Sequence, residues 1–383
     1  MNLKNLQKFE RREFIHKSGI ALSGMAILPS LVSGNKSDQI KGQGSVHTNE
    51  RFPLYPGKTN LKVTKVEVIH SAEPIAFPEP WLPAWKAPDG RAITAFNNYA
   101  YFKVYTNEGI VGIGPYSSAD PDLIIGIDPF TVGSFWETNM SGRRAGTSRK
   151  YAAGLEIALW DIIGKATGQP IHKLLGSCHD RMMVYAATSR LLEPEQHSTQ
   201  ALELIEQGFK AIKLRLHRPD PRDDLRVVEA VRKAVGDKLI IMVDANQDNA
   251  SKGYSFWSKS TALQMARELE KLGVYFLEEP LPRNDIVGLA EIAASVDMFI
   301  AGGEHSPTIY DFMNHMMCRA YDIVQPDVWM GGNMGIIGLR KVAEVADYFG
   351  CLVMPHVVSA PPNTLNLSAT LQTLATVENC PMV

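Results

Sequence analysis

The feature that most constrains this chain is a repeating texture that begins near Met183. Seven short β-rich runs, VYAAT, KAIKLRL, LIIMVDAN, VYFLEEP, MFIAGGE, YDIVQPD and CLVMPHVV, alternate with amphipathic stretches such as Leu225 to Val235 and Ser260 to Leu272. Each unit takes about 25 to 35 residues, the length of a strand, a crossover helix and two turns. Seven parallel strands are predicted, and a doubly wound sheet and a closed barrel both satisfy that count. The placement of polar residues separates the two. Five of the runs end in an acid or a histidine: Asp244, the pair Glu278 and Glu279, Glu304, Asp327 and His356, each about one repeat after the last. In a barrel the C-terminal ends of all the strands converge on one face, so these groups would ring a single mouth.

Three carboxylates arriving from successive strands, with no thiolate and no H-x-x-x-H pair, make an oxygen-donor site suited to a hard divalent cation such as Mg²⁺. Left uncompensated they would repel one another, and a bound cation is the simplest resolution. A single strand-terminal acid is more often a helix N-cap or a surface charge. Several in register, joined by a histidine, are not explained that way. Strand alternation sends Glu278 and Glu279 to opposite sides, so at most one should face the interior. On the second strand Lys213, Arg215 and His217 alternate in KLRLH. Such a stripe in a strand that is core on both faces is costly unless it meets anions. The competing reading puts Arg215 and His217 past the strand end, in solvent.

Upstream the pattern changes. Leu61 to His70 (LKVTKVEVIH) and Ala100 to Thr106 (AYFKVYT) alternate apolar with polar residues as half-buried strands do. Asn107-Glu108-Gly109 reads as the hairpin turn into IVGIG, which gives an antiparallel N-terminal sheet. Between these strands, AEPIAFPEPWLPAWKAPDGRA is a long Pro-rich loop carrying Trp81 and Trp85, readable as a specificity lid or as a packing wedge. A helix is predicted from Arg149 to Thr167, stopped by Gly168. Residues 35–60 are polar and rich in Gly, Pro and Asn, and read as a linker.

Ahead of the linker, Lys4, Lys8, Arg11, Arg12 and Lys17 precede the apolar run Ser18 to Val32 and the small residues Ser33 and Gly34. That is the anatomy of an export signal over residues 1–34, and the run is too short to span a bilayer. ERREFIHK resembles the twin-arginine consensus, so the expected location is the periplasm or another exported compartment. With 39 Lys and Arg against 41 Asp and Glu, the formal charge of −2 offers no field for nucleic acid or anionic lipid. The expected partner is a small molecule. Cys178, Cys318, Cys351 and Cys380 are scattered, without a C-x-x-C pair, and read as small packing residues.

Taken in order, EIALWDIIGK (Glu156 to Lys165), K-x-R at Lys213, D-A-N at Asp244, E-E-P at Glu278, G-E at Glu304, Q-P-D at Asp327 and P-H at His356 resemble the enolase superfamily. Within it, they resemble the mandelate racemase/muconate lactonizing enzyme family, over residues 61–383. The resemblance implies an α/β fold: an N-terminal α+β capping domain over 61–182 and a modified TIM barrel, (β/α)7β, over 183–383. It implies Asp244, Glu278 and Glu304 as the ligands of one Mg²⁺, with Glu278 preferred to Glu279, and Asp327 and His356 as an Asp-His dyad. The implied chemistry is removal of a proton α to a carboxylate, with the resulting enediolate stabilised by the metal. Lys213 and Arg215 would then bind the substrate carboxylate. Asn246, His305, Trp81 and Trp85 are the expected substrate contacts, and His217 and His305 the spare candidates for a general acid.

Two departures refine the expectation. Racemases of the family carry K-x-K on the second strand, and a guanidinium at Arg215 is a poor base. Two-base racemisation is thereby disfavoured, and the expected activity is that of a lyase dehydrating a sugar acid to a 2-keto-3-deoxy acid. Epimerisation or cycloisomerisation on the same scaffold, and non-catalytic sugar-acid binding, are the alternatives. A homo-oligomer is expected. Family members also continue beyond NCPMV into an eighth strand that often carries a glutamate, so the chain is expected to be truncated at Val383, which would leave the barrel unclosed.

Overall fold

The computed structural model describes residues 60–84, 91–96, 99–143, 150–248, 256–358 and 364–383. The export signal, all of the linker but Asn60, and Trp85 lie outside them. Strands β1 (Val63–His70), β2 (Ile75–Trp81), β3 (Ile93–Phe96), β4 (Ala100–Thr106) and β5 (Val111–Pro115) form two antiparallel sheets, ordered β1-β4-β5 and β2-β3. Gly109, at φ +76, supplies the left-handed residue of the β4–β5 turn. The Pro-rich connection is not an irregular loop, as expected, but carries β2 and β3. Their register slips between Ala76 and Trp81, where Pro78 and Pro80 have no N–H to pair, a gap that an isolated two-stranded ribbon tolerates.

Helices α1 (Val132–Asn139), α2 (Ala153–Thr167) and α3 (Ile171–Leu175) follow. Among the described residues α2 starts at Ala153, later than predicted, where the Ala153 N–H donates to Asn333 of the barrel (3.1 Å); Gly168 ends it at φ +66. The helix buries Leu155, Leu159 and Ile162 with Phe102 and Val104 of β4. Its approach to β5 is backbone on backbone: a Cβ on Gly114 would overlap the Gly154 carbonyl oxygen, and one on Gly154 would overlap that of Pro115.

From β6 (Ala186–Ala187) the chain alternates through α4 (Pro194–Glu206), β7 (Ala211–Arg215), α5 (Pro221–Val235), β8 (Ile240–Asp244), α6 (Lys259–Lys271), β9 (Phe276–Glu278), α7 (Ile286–Ser295), β10 (Phe299–Gly302), α8 (Ile309–Met317), β11 (Ile323–Val324), α9 (Gly335–Phe349), β12 (Leu352–Val353) and α10 (Thr364–Leu374). The seven strands pair in parallel in sequence order, as a barrel requires. Residues 379–383 lie between β12 and the segment that leads into β6. The Val353 N–H donates to the Asn379 carbonyl (3.0 Å), the Val383 N–H to that of Met183 (3.0 Å), and the Tyr185 N–H to that of Val383 (2.9 Å).

Alternation along each strand decides what lies inside. Ala211, Ile240, Met242, Phe276, Ala301 and Met354 pack as an apolar floor, while Leu214, Ile241, Val243 and Leu277 point outward beneath the helices. Further up the inward rows stand Lys213, level with Met242, and then Arg215, Asp244 and Glu278. Cys351 and Cys380 are buried as expected, whereas Cys178 and Cys318 are exposed; all four are free. No described helix is long and apolar enough to cross a membrane.

The contact between β5 and α2 has a direct test. Gly114→Ala must push the two backbones apart and should lower stability by at least about 2 kcal/mol. Gly133→Ala in α1, whose added methyl meets open space, should raise it by less than about 1 kcal/mol. Equal denaturant midpoints for the two variants would contradict this packing.

Candidate active site

The strand-end layer is a buried ion cluster. Parallel register sets Arg215 beside Asp244 and Asp244 beside Glu278 on three adjacent strands. Lys213 Nζ stands 2.7 Å from Glu278 Oε2 and 3.4 Å from Asp244 Oδ2, with all three side chains 3% exposed or less. Arg215 pairs with Asp244, and also donates to Asn246 Oδ1 (3.2 Å) and the Thr188 carbonyl (3.1 Å). Burial, and then the Asp244 charge, push Glu278 up to about 7 in spite of Lys213 and Arg215. Burial is the largest influence and would favour neutral Lys213, but Glu278, Tyr185 and Asp244 together outweigh it and hold the amine above its ordinary value. The alternative that puts Arg215 and His217 in solvent fails, since both are buried.

A second cluster faces the same mouth from β10 to β12. His356 Nδ1 lies 2.5 Å from Asp327 Oδ2, while Asp327 Oδ1 accepts the N–H groups of Trp329 and Met330, both at 2.6 Å. An aspartate held on its other oxygen by two backbone donors fixes the ring and leaves Nε2 as the working nitrogen, 3.3 Å from Glu304 Oε2. Burial would lower the His356 pKa, but the Glu304 charge and the Asp327 hydrogen bond overcome it and lift it to about 9. His305 Nε2 sits 2.9 Å from Glu304 Oε1, and that bond raises the His305 pKa. Although burial disfavours its charge, Glu304 is held below the usual carboxylate range by His356 and His305.

The other expected site residues are distributed unevenly. Asn246 is buried at the end of β8, in the left-handed region at φ 49. Trp81 lies at the end of β2, where its Nε1–H donates to Ser189 Oγ (2.8 Å) after β6, so the ribbon is tied to the barrel rim. His217 donates from Nδ1 to the Ala245 carbonyl (3.1 Å), and burial lowers its pKa, which disfavours the protonated form that a general acid must carry. Both glutamates of the E-E-P pair are buried; Glu279 takes φ 45, and its carboxylate oxygens have no hydrogen-bond partner among the described residues. Gln325 was not singled out from the sequence. Its Nε2 donates to Glu278 Oε2 (2.8 Å), and the signal for it was a polar residue in the YDIVQPD run, two before Asp327.

The donor set suits a hard cation in kind: three carboxylates on adjacent strand ends, with Glu278 Oε1 buried and without a hydrogen-bond partner among the described residues. It is not a gathered ligand cluster. No three His, Cys, Asp or Glu side chains among the described residues stand close enough to share one ion. Lys213 and Arg215 instead engage the oxygens of Asp244 and Glu278.

Removing one member of a buried ion cluster strands its partners. Lys213→Met should therefore lower stability by about 3–5 kcal/mol, measured by denaturant unfolding with a chelator present. Lys213→Met combined with Glu278→Gln should recover most of that loss, and equal losses in the single and double variants would contradict the pairing.

Comparison with known proteins agrees with this layout. Residues 196–383 match the family described as enolase C-terminal domain-like, and residues 83–176 match the mandelate racemase/muconate lactonizing enzyme N-terminal domain. The chain is 31% identical over 261 residues to an L-talarate/galactarate dehydratase of Salmonella typhimurium, covering 67% of this chain and 63% of that protein. It thus spans less than two thirds of that relative's length. It is 32% identical over 276 residues to an arabinonate dehydratase of Saccharolobus solfataricus, covering 66% of this chain and 71% of that one. A crystal structure of a racemase from Streptomyces coelicolor A3(2) with bound magnesium superposes with a TM-score of 0.69 at 27% identity, covering 84% of this chain and 88% of that one. The chain belongs to the mandelate racemase/muconate lactonizing enzyme family of the enolase superfamily.

Proposed function

We propose that this protein removes the proton α to the carboxylate of a sugar acid and expels the neighbouring hydroxyl, giving a 2-keto-3-deoxy acid, with Mg²⁺ as its cofactor. The observation that carries the reading is His356, braced through Nδ1 by Asp327, presenting Nε2 to the mouth that Lys213 and Arg215 line with positive charge. The dehydratase relatives support the reaction class, and the magnesium-bound racemase structure supports the metal. Asp244, Glu278 and Glu304 would hold the ion, which when bound supplies positive charge against the negative charge that develops as the α-proton leaves.

Each residue then has a definite task. His356 Nε2 takes the α-proton, and Asp327 keeps the opposite nitrogen protonated and the ring in place. Lys213 and Arg215 remain cations and offset the substrate carboxylate; Arg215 gives up no proton. The leaving hydroxide needs a proton, which His356 can return after accepting one. His305, with its raised pKa, is a second donor at the same acid. Trp81 on the docked ribbon supports a stacking role toward the sugar face. Arg11 and Arg12 ahead of the apolar run support export, and an uncleaved chain retained in the cytosol would overturn that part.

A racemase among the similar structures supports isomerisation as the second reading. Incubation with Mg²⁺ and a panel of aldonic and aldaric acids should release a 2-keto-3-deoxy acid, with His356→Ala slower by about 10²–10⁴-fold. Exchange of the α-hydrogen with solvent deuterium without dehydration would select isomerisation. Binding that survives Asp244→Ala with neither exchange nor turnover would make the chain a carrier.

The metal assignment can be read without turnover. Glu304 is the strongest influence raising the His356 pKa, so a cation held by Glu304 should lower the imidazole from about 9 toward its ordinary value. Histidine NMR titrations with and without Mg²⁺ would measure this, and superimposable curves would remove Glu304 from the ligand set.

A further inference from the structure

The EIALWDIIGK segment belongs to the capping domain, yet its first residue reaches into the barrel. Glu156 on α2 is fully buried, and its carboxylate accepts three hydrogen bonds: from Trp160 Nε1 (3.0 Å), from the Ile336 N–H (3.0 Å) and from the Ile337 N–H (3.1 Å). The last two belong to the first turn of α9, whose N-cap residue Met334 provides no side-chain cap. The capping domain therefore supplies, from 180 positions away in the chain, acceptors for two backbone N–H groups that the first turn of this helix leaves without intrahelical partners. A Cβ on Gly335 would lie 2.9 Å from Glu156 Oε2, so the loop can approach the carboxylate only because this position, at φ +70, is glycine.

The turn that Glu156 pins is continuous with the seat of Asp327. The Met334 N–H donates to the Asp327 carbonyl (3.0 Å), and the Gly335 N–H to that of Val328 (2.9 Å). Two further cap contacts hold the same stretch: Ala153 N–H to Asn333 Oδ1 (3.1 Å) and Trp136 Nε1 to the Met334 carbonyl (2.7 Å). At the other end of this loop the Asp327 carboxylate is held by Trp329 and Met330.

We propose that Glu156 is a positioning residue for the Asp327–His356 pair, holding through the first turn of α9 the loop that aims Asp327 at the imidazole. The proposal rests on the reading of His356 as the base, and its test has an arm that needs no turnover. The proton that His356 Nδ1 donates to Asp327 (2.5 Å) should give a downfield NMR resonance, assigned by its loss in His356→Asn. Glu156→Gln turns an amide N–H₂ toward a backbone N–H and leaves one donor without an acceptor. It should displace or broaden that resonance and lower kcat about tenfold or more with KM within about twofold.

Asp161→Asn is the control. It lies on the same helix, where the Asp161 carboxylate accepts from the Ile113 N–H and Lys165, both in the capping domain, rather than from α9. This variant should leave the resonance and kcat unchanged even where it lowers the melting temperature. Glu156→Asp keeps the charge on a shorter arm and should fall between wild type and Glu156→Gln, which carries the test if the glutamine variant does not fold. A Glu156 variant that melts earlier but keeps the wild-type resonance would overturn the coupling. A displaced resonance in a protein that turns over no sugar acid would overturn the proposed reaction and leave the coupling standing.

Discussion

Mutual repulsion among buried carboxylates is the constraint on which the rest of this structure depends. Asp244, Glu278 and Glu304 stand at the ends of neighbouring strands with little or no exposure. In such surroundings like charges interact far more strongly than in water, and desolvation opposes ionisation as well. The fold answers with two sets of countercharges. Lys213 and Arg215 engage Asp244 and Glu278 from β7, and His305 and His356 flank Glu304 on the other side of the mouth. The two sets differ in kind. An amine and a guanidinium keep their charge across the physiological range, whereas imidazoles change theirs within reach of it.

The barrel makes that layer possible through strand pairing. In-register parallel strands bring Arg215, Asp244 and Glu278 side by side. The apolar floor below them keeps water from entering from beneath. Immediately past the strand ends the backbone leaves regular geometry. Asn246 and Glu279 both take positive φ, a conformation that non-glycine residues adopt at a cost and that clusters where a site demands it. Asn246 repays its conformation by accepting from Arg215 and by donating its N–H to Asp244 Oδ1 (2.8 Å).

What could be read from the sequence divides along the same physical line. The parallel strands, their order and the acids at their ends were legible because alternation is local and repeats along the chain. Strands β2 and β3 were not, because Pro78 and Pro80 carry loop signals and only pairing with Ile93–Phe96 makes a ribbon of that segment. Alternation showed that at most one of Glu278 and Glu279 should face inward, and the family resemblance chose Glu278; the burial of both was not legible, since a positive φ breaks the two-residue period at Glu279. Glu156 was visible only as part of a motif. Its partners Ile336 and Ile337 are close to it through folding alone, and no periodicity connects them.

The asymmetry between the two countercharge sets bears on the order of proton movement in the proposed reaction. Arg215 is fixed by Asp244, Asn246 and the Thr188 carbonyl, and Lys213 by Glu278 and Asp244. Either could neutralise a substrate carboxylate, but for either to leave as a neutral base would strand a buried acid beside it. His356 is placed differently, because Asp327 binds the nitrogen that keeps its proton, and Glu304, the acid beside Nε2, has His305 as a second partner when Nε2 gives its proton up. Proton chemistry is thereby confined to the β12 side. A substrate held against Lys213 and Arg215 would lose and regain hydrogen on one face only, which favours elimination or retention over inversion at the α-carbon.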